Sequence, residues 1–239
     1  MEFISIGGLR VDNVTPDEAL ARCMALAAGG GGAVFTPNAE MAKDALDNPE
    51  FMALLNSGDL VVPDGIGVVA AAKLLGTPLK GKVAGCELAA ALLPELEKAG
   101  YGLFLFGAKP GVAEKARDEI LRKYPGLVVS GVADGYFKED AERVPMIKAS
   151  GAKVCFVCLG SPKQERFIAD NRGELPMLML GLGGTLDVLA GVAKRAPEFY
   201  VNHNLEWLYR IAGDPTRWRR SLKLPAFMLQ VLKIKGRNK

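Results

Sequence analysis

Histidine is almost missing from this 239-residue chain: His203 is the only one, which argues against a histidine-based metal centre. Cysteine is sparse too. Cys23, Cys86, Cys155 and Cys158 lie in apolar segments and no signal-peptide pattern opens the chain, so a reducing cytoplasm without disulfides is expected. Cys155 and Cys158 spell C-x-x-C, but inside VCFVCLG, which reads as a buried strand, with no second pair to complete a zinc or redox site. No uninterrupted apolar run reaches the roughly 18 residues of a membrane span. There is no GxxxxGK[ST] phosphate loop, and in GLGGTL the residue Leu186 stands where a dinucleotide fingerprint needs its third small residue.

What is present is about half hydrophobic, enough to bury a full core. Short apolar runs (GAVFT, DLVVP, YGLFLFG, LVVSGV, AKVCFVCLG, PMLMLGLG) alternate with helical patterns. The alternation predicts an α/β fold: a Rossmann-like, largely parallel sheet with helices on both faces. The opening EFISIGGLRVDNVT predicts a small β-hairpin, and Thr15-Pro16 an N-cap followed by proline at the first helical position. Gly29 to Gly32 reads as a flexible helix-to-strand connection.

Charge is unevenly spread. From Lys194 onward eleven Lys and Arg face only Glu198, Glu206 and Asp214, a balance of +8 in a chain whose net charge is +3. Trp207 and Trp218 lie in the same segment. A basic end with aromatics and apolar stretches such as AFMLQVL suits the interface of an anionic bilayer better than nucleic acid, the alternative being a helix packed on the core with a solvated basic face. Two parts are therefore expected: residues 1–195 as an α/β catalytic core, and 196–239 as a helical, basic, membrane-associating appendage.

In a parallel sheet, ligands bind beyond the carboxyl ends of the strands. Small and polar residues collect there: TPNAE after the first strand of the sheet, PDG after the second, then GAKPG, ADGYF, GSPKQE and GLGG. In VVPDGIGVV a single carboxylate, Asp64, stands between two apolar arms. By pattern alone Pro-Asp-Gly is an ordinary turn, Asn38 a helix cap, Tyr136 a core aromatic with a wet hydroxyl, and Glu165 either a ligand contact or, the favoured reading, a first-turn charge complementing a helix dipole.

Taken together, TPNAEM, VVPDGIGVV, GKVAGCEL, LFLFGA, DGYF, GSPKQE and GLGGTLDVLAGVAKRAPEF resemble the WecG/TagA/CpsF family of bacterial glycosyltransferases over roughly residues 1 to 220. The resemblance implies an inverting transfer of a sugar from a UDP-sugar to a polyprenyl-diphosphate-linked acceptor. Its teichoic acid branch, the best match, moves N-acetylmannosamine onto undecaprenyl-diphosphate-linked N-acetylglucosamine. It implies Asp64 as catalytic base, with Thr36, Asn38 and Gln164 in the catalytic pocket. Asp134, Gly135, Tyr136, Gly183, Gly184 and Asp187 would bind the nucleotide sugar, and Arg210, Arg217 and Arg220 of the appendage would serve the leaving diphosphate.

No Asp-x-Asp pair occurs, so no metal and no other cofactor is expected, and the arginine forks suit a diphosphate. The enzyme should lie at the inner face of the cell membrane, with room for a homo-oligomer. Removing the appendage is expected to leave a folded core. Lys82 stands where many members carry arginine, and Glu87 where aspartate is common, which leaves the role of Lys82 open. Other readings are a different donor, UDP-N-acetylmannosaminuronic acid or UDP-glucose, with Lys109 or Lys163 meeting an extra carboxylate, and a non-catalytic nucleotide-sugar-binding membrane adaptor.

Overall fold

Six short strands form one parallel sheet; five are rich in Val, Leu, Phe and Met and almost wholly buried, and the edge strand of sequence VSGVA is only partly buried. A computed structural model describes residues 2–193, Pro197, Tyr200 and 223–237 of the chain. Ahead of the sheet, β1 (Phe3–Ile6) and β2 (Leu9–Asp12) pair antiparallel as the expected hairpin. The sheet strands are β3 (Gly32–Phe35), β4 (Leu60–Val61), β5 (Leu103–Gly107), β6 (Val129–Ala133), β7 (Val154–Cys158) and β8 (Leu178–Gly181). Their order is β4-β3-β8-β7-β5-β6, and each coincides with an apolar run singled out in the sequence.

Helices cover both faces. One face is packed by α2 (Ala39–Asp47), α3 (Pro49–Asn56), α4 (Ile66–Leu75), α7 (Val144–Ala149) and α8 (Lys163–Asn171), the other by α1 (Pro16–Ala28), α5 (Gly85–Ala99), α6 (Val112–Lys123) and α9 (Thr185–Leu189). Thr15 caps α1 in a reciprocal capping box with Glu18, and Pro16 opens the helix as its spacing predicts. Asp12, fully buried, ties the hairpin to the sheet edge by accepting the Val61 N–H at 2.8 Å.

Three local features depart from the sequence reading or sharpen it. The second apolar arm around Asp64, assigned no element from the sequence, forms α4; IGVVAAAKLL is apolar nearly all round, and such a run has no periodicity that separates helix from strand. The Gly29 to Gly32 connection is tightly placed rather than loose: Gly31 sits at φ +115°, and a Cβ there would lie 2.5 Å from the Met177 carbonyl oxygen. Cys155 and Cys158 belong to opposite core layers, as alternation along a strand dictates, and burial raises both thiols, Cys158 to about 12.

The basic end contributes α10 (Lys223–Arg237), which lies against α2 and α4. Phe227 and Val231 are fully buried in the same core layer as those helices, and Lys223 donates to the Asp44 carboxylate at 2.8 Å. Leu224 reaches further: a Cβ on Gly67 would stand 2.8 Å from its Cδ1 and 2.7 Å from the Ala39 Cβ, so α2, α4 and α10 meet without room for a side chain. The opposite side of α10 leaves Leu229 and Leu232 exposed, together with Lys233. Arg210, Arg217 and Arg220 lie outside the described residues.

Candidate active site

The connections leaving β3 and β8 turn to opposite faces of the sheet, toward α2 and α9, and so open a crevice at the carboxyl ends of two neighbouring strands. Thr36 ends β3 there. Its side chain is buried against Gly85 at the start of α5, and its Oγ1 donates to the Gly181 carbonyl of β8 at 2.9 Å. Asn38 caps α2: its Oδ1 accepts the Glu40 and Met41 amides at 2.9 and 3.0 Å, which fixes the side chain and turns its Nδ2 donor away from the helix. The capping reading of Asn38 is thus correct, and it is compatible with a place in the pocket.

Asp64 follows β4 and is drawn against the same loop, its N–H donating to the Pro37 carbonyl at 3.1 Å. It is half-buried, with Gly65 at φ +89° beside it and α4 beginning immediately after. Thr36, Asn38 and Asp64 are thereby gathered at the ends of the adjacent strands β3 and β4.

Gln164, in the first turn of α8 and buried, closes the other side. Its Oε1 accepts the Gly183 N–H at 2.8 Å, and its Nε2 donates to the Glu165 Oε1 at 2.7 Å. Because the Gly183 N–H requires an acceptor, these two bonds fix which way the amide faces. Glu165 is no solvated first-turn charge: the residue is fully buried. Burial pushes its carboxyl above an ordinary 4.5, only partly offset by the Gln164 amide and the Ser161 hydroxyl.

A pH dependence follows. The folded protein holds the Glu165 proton more tightly than the unfolded chain, so this contribution to stability is complete below 4.5 and is lost as the pH rises through the folded-state value. Glu165→Gln cannot titrate. Denaturant unfolding should therefore show the variant gaining on the wild type as the pH rises above about 4.5; a difference that stays flat with pH contradicts this.

The DGYF loop forms a second group. Asp134 Oδ1 accepts the Tyr136 N–H at 2.7 Å and Arg143 Nη2 at 3.2 Å, while Lys163 donates to the Gly135 carbonyl at 3.1 Å and lies 3.7 Å over the Phe137 ring. The Gly135 N–H is engaged as well, donating to Ala108 at 2.9 Å. Tyr136 is 64% exposed, so it is not the core aromatic that was one reading of it, and its ring is open to a ligand. Gly184 stands exposed at the start of α9, and Asp187 lies one turn in, accepting the Val192 and Ala193 amides through its carbonyl. Lys163 and Gln164, consecutive in α8, join the two groups: one grips Gly135, the other Gly183.

Sequence reasoning missed Arg143 and the anchoring by Lys163. Arg143 holds the Asp134 carboxylate and the Tyr136 carbonyl, and Lys163 the Gly135 carbonyl, contacts for which no motif exists. It also missed Ala108, a non-glycine residue at φ +60° whose carbonyl holds Gly135. Finally, α4, α5, α6, α8 and α9 begin without a side-chain cap, so their first-turn amides are not satisfied by capping side chains.

This chain matches known proteins along almost its whole length. The family model described as "Glycosyl transferase WecG/TagA/CpsF family" matches residues 4–239. An N-acetylglucosaminyldiphosphoundecaprenol N-acetyl-beta-D-mannosaminyltransferase of Bacillus spizizenii is 40% identical over 204 residues, covering 85% of this chain and 79% of the relative. A protein of the same name from Bacillus subtilis is 36% identical over 210 residues, covering 87% and 82%. A parallel α/β sheet with a crevice lined by Thr36, Asn38, Asp64 and Gln164, joined to this extent of similarity, leads to one conclusion: the chain is a glycosyltransferase and belongs to the WecG/TagA/CpsF family.

Proposed function

We propose that this enzyme transfers N-acetylmannosamine from its UDP derivative to N-acetylglucosaminyl-diphosphoundecaprenol, with inversion, in building the linkage unit of wall teichoic acid. The similarity to two relatives of that name over more than four-fifths of the chain carries the reading of donor sugar and acceptor. The crevice supports the chemistry. Asp64 takes the proton from the acceptor hydroxyl as its oxygen attacks the anomeric carbon; the bond from that carbon to the UDP oxygen breaks, and UDP leaves with the electron pair. Thr36 braces β3 against β8, Asn38 offers an amide beside the base, and Gln164 faces the donor. The nucleotide lies along Asp134, Gly135 and Tyr136 on one side and Gly183, Gly184 and Asp187 on the other.

The leaving diphosphate must be neutralised. Uncapped first turns at the strand ends provide amides for it, and Arg210, Arg217 and Arg220 of the basic end provide charge. The sequence lacks an Asp-x-Asp pair, which supports transfer without a metal. The described residues form no helix long and apolar enough to cross a membrane, so a lipid-linked acceptor would be met by peripheral attachment through the basic segment and the exposed Leu229 and Leu232.

The test is product formation from a panel of UDP-sugars with the lipid-linked N-acetylglucosamine acceptor, with and without EDTA. The expected result is transfer from UDP-N-acetylmannosamine at least about tenfold above UDP-glucose or the uronic acid donor, unchanged by EDTA. Preference for another donor overturns the substrate reading, and loss of transfer in EDTA overturns the metal-free reading.

A further inference from the structure

Resting on that reading, we infer that Glu165 is a positioning residue for the transfer: its buried carboxyl holds the Gln164 amide, and through it the Gly181 to Gly184 loop, in the orientation that meets the donor. The observations are geometric. Glu165 is fully buried, whereas serving the helix dipole requires no burial. A carboxyl placed in a core is costly to keep unless it is bonded, and a hydrophobic residue of similar volume would fill the same space.

Its Oε1 bonds the Gln164 Nε2 at 2.7 Å, while Oε2 is buried and, the nearby Ser161 hydroxyl lying outside good hydrogen-bond geometry, has no hydrogen-bond partner among the described residues. Both side chains press on the end of β8: a Cβ on Gly181 would lie 3.1 Å from the Gln164 Nε2 and 3.4 Å from the Glu165 Oε1. From there the bonds run in two directions. Gln164 Oε1 holds the Gly183 N–H at 2.8 Å, and the Gly181 carbonyl accepts from Thr36 at 2.9 Å. Glu165 thus stands behind Gln164 as the fixed end of a chain that crosses the crevice from α8 through β8 to β3. Without it the Gln164 amide keeps one anchor instead of two and can rotate about its last torsion, taking its remaining N–H out of register with the donor.

Three variants test this: Glu165→Leu, Glu165→Gln, and Glu165→Leu in a Gln164→Ala background. Glu165→Leu should fold and should lower kcat about tenfold or more with donor KM changed less than about threefold, since misplacement of a contact group acts on the transition state more than on binding. Glu165→Gln keeps an acceptor for the Gln164 Nε2 and should recover most of that loss. In the Gln164→Ala background the leucine should add nothing further. A folded Glu165→Leu with wild-type kcat overturns the inference, as does an undiminished effect of the leucine once Gln164 is gone.

A readout independent of turnover is the side-chain amide of Gln164 in nitrogen-15 spectra. Its protons should exchange slowly in the wild type and in Glu165→Gln, and fast in Glu165→Leu, or in Glu165→Met if the leucine variant does not fold; equal exchange in all of them also overturns it. A wild type that transfers no sugar while showing the protected amide would count against the proposed function and leave the positioning role standing.

Discussion

Replacing Asp64 by asparagine is expected to lower kcat by about two to four orders of magnitude, the range in which a positioned general base contributes, while leaving UDP affinity within about threefold. The asymmetry follows from where Asp64 sits. Its backbone is bonded to Pro37 at 3.1 Å and its neighbour opens α4, so an isosteric amide keeps the loop and the pocket wall. What the variant loses is the carboxylate's charge and its capacity to accept a proton. In the proposed binding mode the nucleotide lies along the DGYF and GLGG segments, and its binding does not depend on the Asp64 carboxylate. Turnover measured with lipid-linked acceptor, beside UDP binding by calorimetry, separates the two effects. A variant that retained more than about a tenth of wild-type turnover would remove Asp64 from the role of base.

The second large effect is one of stability. Phe227 is fully buried between α10 and the layer formed with α2 and α4, so Phe227→Ala should cost about 3–5 kcal/mol. For a chain of this size that lowers the melting temperature by roughly 6–20 °C, with self-association as the apolar faces of α2 and α4 open to water. Thermal unfolding and light scattering are the measurements, and an unchanged melting point would show that α10 is not docked in solution.

The burial of Phe227 and Val231 also changes what removal of the basic end would do. Truncation near Pro197 takes α10 with it and uncovers part of the core, so a loss of activity in that truncation mixes two causes. Leu229→Ser with Leu232→Ser is cleaner. Those side chains are 61% and 49% exposed, so the pair should weaken binding to anionic vesicles without affecting folding.

Most of the sheet was legible because parallel strands buried on both faces read as unbroken apolar runs, the partly buried edge strand β6 with its Ser130 and Gly131 being the exception, and each of the six is bounded by Gly, Pro or a polar cluster. The ends of those runs then pointed to the crevice. Helix α4 was not legible, since its residues are apolar on every side, and neither was the packing of α10, whose apolar positions serve the core and an exposed face together. Asp64 was singled out only through the family resemblance that the motifs carry together, its own tripeptide being that of a common turn. Glu165 was misread because position alone makes an acid in the first turn of a helix look like a dipole partner. Only the fold shows it buried behind Gln164.

The central claim is a single in-line displacement at the donor's anomeric carbon, assisted by Asp64. It is tested most directly by the anomeric configuration of the disaccharide lipid, read from proton NMR of the product made from UDP-N-acetylmannosamine. The account predicts a linkage of configuration opposite to that of the donor. A product that retains the donor's configuration would contradict it.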